Sequence, residues 1–372
     1  MQTVDFTVIK SVSRKQYKGF KTKRFLMNMD LGVGSLNLSR KPQIEGIIED
    51  KATPSGPLGK IEALALRLAL IQETPKPFLN QTSLFLFAGD HGIAEEGVCN
   101  LPQVAGRQQL LNIAKGGATV CAFARLNRMM IRVVDAGLKT SVEHPQVLAR
   151  RLSKGSANFS EEKALTREQM ERGLRLGGDL VKARHKSGTN VIGFGTLGIG
   201  AELAADMILK YLCDLDCEEL VAKDLETSLK EKRLRLYQSI CKHHGPISEP
   251  LDLLMSFGGC EFAMMVGALI QCGRLGISVL IDGYVGAVIS LLACRIAPEL
   301  KSYLFACQAS QQNLQSLALN ELEIEPLLDL GLDIDDGTGV ALTYPLLQAA
   351  VTFLNEVASY DEAKVAKPYF TP

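Results

Sequence analysis

Apolar residues follow two alternating patterns along this chain. Four short runs rich in β-branched and aromatic side chains predict buried strands at residues 83–88, 131–135, 190–194 and 278–282. Longer stretches carry apolar residues at three- and four-residue intervals and predict helices over residues 102–124, 166–185, 202–212, 260–272 and 284–296. Because such alternation is typical of crossover units, the pattern predicts an α/β fold with a doubly wound, mainly parallel sheet, helices on both faces and a smaller helical subdomain.

Each predicted strand ends in a cluster of Gly or Asp. In open α/β sheets, ligands bind beyond the carboxyl ends of the strands, so we expect these clusters to converge on one site. They are Gly89-Asp90-His91-Gly92, Asp135-Ala136-Gly137, Gly193-Phe194-Gly195 and Asp282-Gly283.

The glycine-rich segment 193–200 leads directly into a predicted helix. Glycines let backbone amides approach an anion closely, and a helix N-terminus favours negative charge, so a phosphate could bind along Gly195, Gly198 and Gly200. A tight strand-to-helix turn explains the same glycines equally well, and the spacing is not a clean dinucleotide fingerprint. On the phosphate interpretation, a valine at Gly198 is expected to exclude the nucleotide and to leave the fold largely intact.

Two further features concern acid–base chemistry. His91 follows Asp90 at a strand end and could act as an acid or base, but a hydrogen-bonded structural histidine is the more common case. The segment 328–342 carries four acids before Gly337-Thr338-Gly339, which indicates either a cation site or one general base with solvated neighbours. It lacks the glycine and terminal glutamate of an EF-hand loop.

Composition excludes several classes of protein. The 41 Lys plus Arg balance 41 Asp plus Glu, which argues against nucleic acid or an anionic membrane surface as a partner. No signal peptide is visible at the start, and Asp282, Gly283 and Gly286 interrupt the most apolar stretch, so no membrane span is predicted. We expect a cytoplasmic protein.

The nine cysteines are odd in number and lie mostly in apolar runs, so we expect reduced, buried thiols. Cys213 and Cys217 could be combined with His243 and His244 as a metal set, but their charged, helical surroundings favour no metal.

Ordered motifs from about residue 51 to residue 354 resemble one enzyme family. They are residues 53–62 (TPSGPLGKIE), residues 88–98 (AGDHGIAEEGV), residues 133–137 (VVDAG), residues 155–158 (GSAN), residues 252–267 and residues 280–284 (LIDGY). On these motifs the chain resembles the nicotinate-nucleotide:dimethylbenzimidazole phosphoribosyltransferases. The resemblance implies a Rossmann-like domain at 46–355. It does not cover residues 1–45, which we expect to form an N-terminal extension that is part of the small helical subdomain, and we expect a C-terminal tail at 356–372.

The family resemblance also implies a reaction and a set of site residues. Phosphoribose would pass from nicotinate mononucleotide, a substrate rather than a cofactor, to an aromatic acceptor, giving an α-ribotide for cobamide biosynthesis. Asp336 stands where the family has its Glu base. Lys232 aligns with a phosphate-contacting Lys, and the acceptor-pocket positions are Asn100, Gln108 and Ile334. The resemblance further implies a dimer.

Several family positions have changed in this chain. Thr196 replaces a second Glu, Ala201-Glu202-Leu203 replaces Asn-Thr-Thr, and residues 307–312 replace a Ser-His-x-Ser-Ala-Glu segment. Two hypotheses follow: an enzyme with a changed acceptor, such as a phenol in place of a benzimidazole, or a non-catalytic subunit paired with an active paralogue. The retained carboxylate at Asp336 favours the enzyme.

Overall fold

Six parallel strands form the central sheet, in the order β3-β2-β1-β4-β5-β6. This order is that of a doubly wound sheet with its switch point between β1 and β4, which confirms the predicted fold class. The six strands are β1 Ser83–Gly89, β2 Met130–Gly137, β3 Val147–Ala149, β4 Val191–Leu197, β5 Ser278–Ile281 and β6 Leu304–Ala306. A separate parallel pair joins β7 Gln308–Ser310 to β8 Leu328–Leu332.

The coordinates are a computed structural model that describes residues 30–53, 55–222, 225–310 and 313–367. Most of the predicted 1–45 extension, Pro54 of the first family motif, Gln311 and Gln312, and the last five residues of the tail lie outside the described residues. The described residues from 32 to 367 group into one compact unit. The predicted divisions at residues 45 and 355 stay predictions.

Thirteen α-helices are present in the described part of the chain. They are α1 Lys41–Glu49, α2 Lys60–Ile71, α3 Val104–Ala114, α4 Thr119–Leu126, α5 Arg167–Lys186, α6 Ala201–Cys213, α7 Thr227–His244, α8 Pro250–Phe257, α9 Cys260–Arg274, α10 Gly283–Ile296, α11 Asn313–Leu322, α12 Thr338–Glu356 and α13 Tyr360–Ala363. No helix among these is long and apolar enough to cross a membrane.

The four predicted strands and the helices that follow them are present with small shifts of boundary. The predicted helix over 102–124 is two helices, α3 and α4, because the chain turns at Gly116, which has a φ of 80°. Strands β3 and β6 were not predicted, since three residues are too few to show a periodic pattern.

The sheet is covered on both faces. Phe85, Phe87 and Phe194 stack against one another from neighbouring strands β1 and β4. Helix α9 is buried from Cys260 to Gly273 and packs against the sheet and α5. A helix that is apolar on all sides needs cover on all sides, so α9 lies in the interior and brings its first turn to the strand ends.

Candidate active site

A cavity of 540 Å³ opens at the carboxyl end of β4. One wall is formed by residues 196–199, 201 and 202, which belong to the segment 195–202 at the end of β4 and the start of α6. We call this segment the glycine loop. The opposite wall is residues 333–336, here called the acid wall. The end of α3 and the start of α4 close a third side. The position matches the ligand crevice expected for a doubly wound sheet.

The glycine loop and the acid wall touch through their backbones. The amide of Thr196 donates to the carbonyl oxygen of Asp335 at 2.8 Å. A Cβ on Gly195 would lie 2.6 Å from the nitrogen of Gly337, so only glycine permits this approach. The structure thereby brings Asp336 and the predicted phosphate segment, 140 positions apart in sequence, to one cavity.

The packing around Gly198 corrects one expectation. A Cβ at this position would overlap the carbonyl oxygen of Gly89 at the end of β1. A valine there would therefore force two strand ends apart rather than only block a ligand. Gly200 has a φ of 93°, and a Cβ there would likewise lie 2.9 Å from His91 and 3.0 Å from Ile93. The close packing at Gly198 and Gly200 therefore supports a tight strand-to-helix turn as the reason for these glycines.

Four carboxylates line the cavity: Glu202, Asp333, Asp335 and Asp336. No Lys, Arg or His occurs among the described residues that line it. Within the same part of the chain, no group of three or more His, Cys, Asp or Glu side chains is arranged to hold a metal ion. The cavity is thus suited to a cationic or proton-donating group more than to a bare anion.

Asp335 is held at the start of α10. Its Oδ1 accepts a hydrogen bond from the Val285 amide at 2.9 Å. Although part of the residue is exposed, burial of its carboxyl raises the pKa of Asp335 to about 7. Burial also raises the pKa of Asp282, which lies behind it, and the charge of Asp335 adds to that shift.

Asp336 is half-buried and lies directly before Gly337, the N-cap residue of α12. Its Oδ1 accepts a hydrogen bond from the Thr338 amide at 3.0 Å, one of the helix amides that have no partner within the helix. This contact gives the carboxylate a structural reason to be present, besides any role as a base. Retention of an acid at this position is therefore weaker support for catalysis than the sequence suggested.

A buried polar network extends from the cavity into the protein through α6 and α7. Glu202 Oε1 lies 3.3 Å from Nη1 of Arg233, which is 2% exposed. One turn further along α6, Asp206 accepts from the hydroxyls of Tyr237 at 2.5 Å and Tyr284 at 2.7 Å. Burial raises the pKa of Asp206 to about 7. Sequence reasoning missed this network because it connects α6, α7 and α10 only in space.

The predicted binding residues are distributed unevenly around the cavity. Ile334 lines it, whereas Asn100 and Gln108 are exposed and only their neighbours Leu101 and Gln109 line the wall. Lys232 does not line it, and its Nζ instead donates to the carbonyl oxygens of Glu96 at 2.6 Å and Gly97 at 3.3 Å. The α7 cation that reaches the cavity wall is Arg233, through Glu202.

The clusters after β1 and β2 meet, but the four clusters do not converge on the lining of the cavity as expected. The Asp90 amide donates to Gly137, and the His91 amide donates to Ile199 at 3.1 Å. Asp282 accepts from the Gly339 amide at 3.0 Å. None of the residues of the four clusters lines the cavity, and on β4 the lining begins at Thr196, directly after Gly195.

Known proteins resemble this chain over most of its length. A sequence profile described as phosphoribosyltransferase matches residues 33–365. A protein of Photobacterium profundum named nicotinate-nucleotide–dimethylbenzimidazole phosphoribosyltransferase is 36% identical over 326 residues, which cover 87% of this chain and 95% of that protein. A protein of the same name from Ralstonia nicotianae is 32% identical over 344 residues, 91% of this chain and 97% of that protein.

The fold has a solved counterpart. The crystal structure of the enzyme so named from Thermus thermophilus superimposes with a TM-score of 0.83 at 31% sequence identity. The match covers 88% of this chain and 98% of that structure.

Proposed function

Because this chain belongs to the nicotinate-nucleotide–dimethylbenzimidazole phosphoribosyltransferase family, we propose that it transfers 5-phosphoribose from nicotinate mononucleotide to an aromatic lower-ligand base for cobamide biosynthesis. The single observation that carries the proposal to the residue level is the cavity in which Asp336 faces the glycine loop. Both substrates are small molecules, no cofactor enters the scheme, and we further propose a cytoplasmic dimer.

In this proposal Asp336 is the general base. The nicotinate leaving group starts with a cationic ring nitrogen, and positive charge develops on the ribose as its bond to C1′ lengthens. Carboxylates along the cavity stabilise that charge, while Asp336 accepts the proton of the incoming acceptor. An aspartate reaches one methylene less far than the family's glutamate, which suits an acceptor that binds closer to the acid wall.

Other predicted site residues enter the proposal with different support. Gly195, Gly198 and Gly200 set the path of the loop beside the start of α6, where a phosphate would meet the helix N-terminus. Lys232 would reach that phosphate by leaving the carbonyls of Glu96 and Gly97. Ile334 would contact the acceptor ring, with Asn100 and Gln108 at the mouth.

A second candidate function is a non-catalytic subunit that pairs with an active paralogue. One observation favours it: Glu202 stands at the start of α6, where the resembling family has a Thr, and no described lining residue is a cation. A carboxylate at that point opposes phosphate binding. The salt bridge from Arg233 to Glu202 reduces this repulsion, which keeps the enzyme as the leading proposal.

Turnover by the purified chain decides between the two. The chain is incubated with nicotinate mononucleotide and a panel of benzimidazoles and phenols, and the ribotide and free nicotinate are quantified. We expect turnover with at least one acceptor, and we expect Asp336→Asn to lower kcat about 10²-fold to 10⁴-fold. An asparagine side chain retains an oxygen that can accept the hydrogen bond from the Thr338 amide. A lower kcat would therefore reflect the lost basicity rather than a change in folding.

Asp179→Asn, an exposed change on α5, is the matched control and keeps the wild-type rate. If the Asp336→Asn variant keeps the wild-type kcat, Asp336 is not the general base. Turnover that needs a paralogous chain and ignores Asp336 would establish the subunit function instead.

A further inference from the structure

A histidine and a glutamate form an isolated pair beneath the glycine loop. His91 Nε2 lies 2.5 Å from Glu261 Oε1, and both side chains are 0% exposed. Neither residue lines the cavity. The edge of the His91 ring packs on Phe262, with 5.2 Å between ring centroids. The pair therefore touches no substrate site, and its role must be sought in what surrounds it.

Two strand-end segments and the start of one helix meet at this pair. The backbone amide of His91, after β1, donates to the carbonyl oxygen of Ile199 in the glycine loop. The Glu261 side chain starts from the first turn of α9 and lies against Gly89, Gly259 and Gly198, where a Cβ at Gly198 would be 3.5 Å from Oε1. The pair thus connects the end of β1, the glycine loop and α9.

The burial of this pair destabilises the fold, so its presence needs an explanation. His91 Nδ1 and Glu261 Oε2 are buried and have no hydrogen-bond partner in the described part of the chain. We assign the proton of a neutral His91 to Nε2, because that tautomer donates to Glu261 and leaves Nδ1 as an unpaired acceptor rather than an unpaired N–H. An apolar pair of similar volume would avoid both unpaired atoms. What it would lose is a directional, charge-assisted bond.

We propose that the buried His91–Glu261 pair is a positioning pair that fixes the glycine loop in its place as one wall of the cavity. Residue 91 holds Ile199 through its backbone only as long as its ring is anchored to Glu261. The consequence for ligand affinity rests on the proposed function, since it assumes that the loop contacts the phosphorylated substrate. The consequence for the loop itself does not.

Hydrogen exchange resolved to single amides tests the positioning role without any ligand. The reporters are the amide of residue 91, bonded to Ile199, and the amide of Ala204, bonded to Gly200. Glu261→Gln replaces a charge-assisted bond by a neutral one, and we expect about fivefold faster exchange at both reporters. His91→Ala and Glu261→Ala should give about fiftyfold or more, and the double variant no more than the faster single. Amides of α5 should stay within about twofold.

His244→Gln is the matched control. His244 also packs against a phenylalanine, Phe257, and bonds the Phe159 carbonyl at 2.7 Å, but neither of these partners belongs to the glycine loop. Unchanged exchange at the reporters in Glu261→Gln, equal acceleration in α5, or the same effect from His244→Gln would each overturn the proposal. If the alanine variants do not fold, the exchange rates of the Glu261→Gln variant at the two reporters and in α5 test the proposal by themselves.

Affinity separates this inference from the proposed function. Titration calorimetry with nicotinate mononucleotide should show about fivefold weaker binding by Glu261→Gln and unchanged binding by His244→Gln. Faster loop exchange with unchanged affinity overturns the link from pair to ligand. A wild-type chain that does not bind the nucleotide contradicts the proposed function, and the exchange result then judges the positioning role by itself.

Discussion

The two walls of the cavity differ in how tightly the rest of the protein constrains them. The glycine loop is almost wholly buried, and Gly195 and Gly198 lie against backbone atoms of other segments. The acid wall is exposed at Asp333 and Ile334 and half-exposed at Asp335 and Asp336. The glycines are therefore explained by packing, whereas the acids retain the freedom to meet a ligand. A glycine-rich loop is weaker support for phosphate binding here than its pattern suggests.

The largest expected effect concerns the tightly packed wall. Gly198→Val should lower the free energy of unfolding by about 3 kcal/mol or more, because the new side chain overlaps the Gly89 carbonyl. Urea unfolding followed by circular dichroism measures the change. Gly46→Val is the control, since no atom lies within 4 Å of a Cβ placed there on exposed α1, and it should cost about 1 kcal/mol or less. A Gly198→Val protein as stable as the wild type would contradict the packing explanation and would favour phosphate binding as the reason for this glycine.

A smaller effect is expected in the acid wall, through pH. The pKa of Asp335 is raised to about 7 in the folded protein, so the folded state keeps a proton that the unfolded chain releases between pH ~4 and ~7. Its contribution to stability is thus present at low pH and is lost as pH rises through that window. Allowing for its partial exposure, the loss is about 2 kcal/mol.

In the Asp335→Asn variant the side chain stays neutral and can still accept a hydrogen bond from the Val285 amide. The free energy of unfolding of this variant should therefore fall less than that of the wild type between pH ~4 and ~7. Urea unfolding at several pH values measures both slopes, and the exposed change Asp179→Asn should keep the wild-type slope. Parallel slopes for wild type and Asp335→Asn would mean that the acid wall is solvated like an ordinary surface, which would sharpen the contrast between the walls.

The smallest effect separates the two roles of Asp336. Asp336→Ala removes the hydrogen bond to the Thr338 amide and should lower the free energy of unfolding by about 1 kcal/mol, whereas Asp336→Asn should change it by about a few tenths of that. Thermal unfolding of the three proteins side by side is sufficient. Equal stability of the alanine and wild-type proteins would leave catalysis as the remaining reason for an acid at this position.

Parts of the site were readable in the sequence because they are local. The order of strand, glycine cluster and helix places the 195–200 segment at a ligand edge, and the acid-rich run before Gly337 marks Asp336. The assignments that rest on single aligned positions fared differently. Ile334 lines the cavity, but Asn100, Gln108 and Lys232 do not, since small shifts of a loop or helix exchange one residue for its neighbour.

The sequence by itself determined the strand–helix alternation, the doubly wound parallel fold and the family, because each depends on periodicity or on motifs within short segments. Only the tertiary structure decided why Gly198 is glycine, that Asp336 accepts a bond from the first amide of α12, and that His91 pairs with Glu261 170 positions away. The physical reason is that these contacts join backbone and side chains of strand ends that are distant along the chain, and no local pattern records which ends will meet.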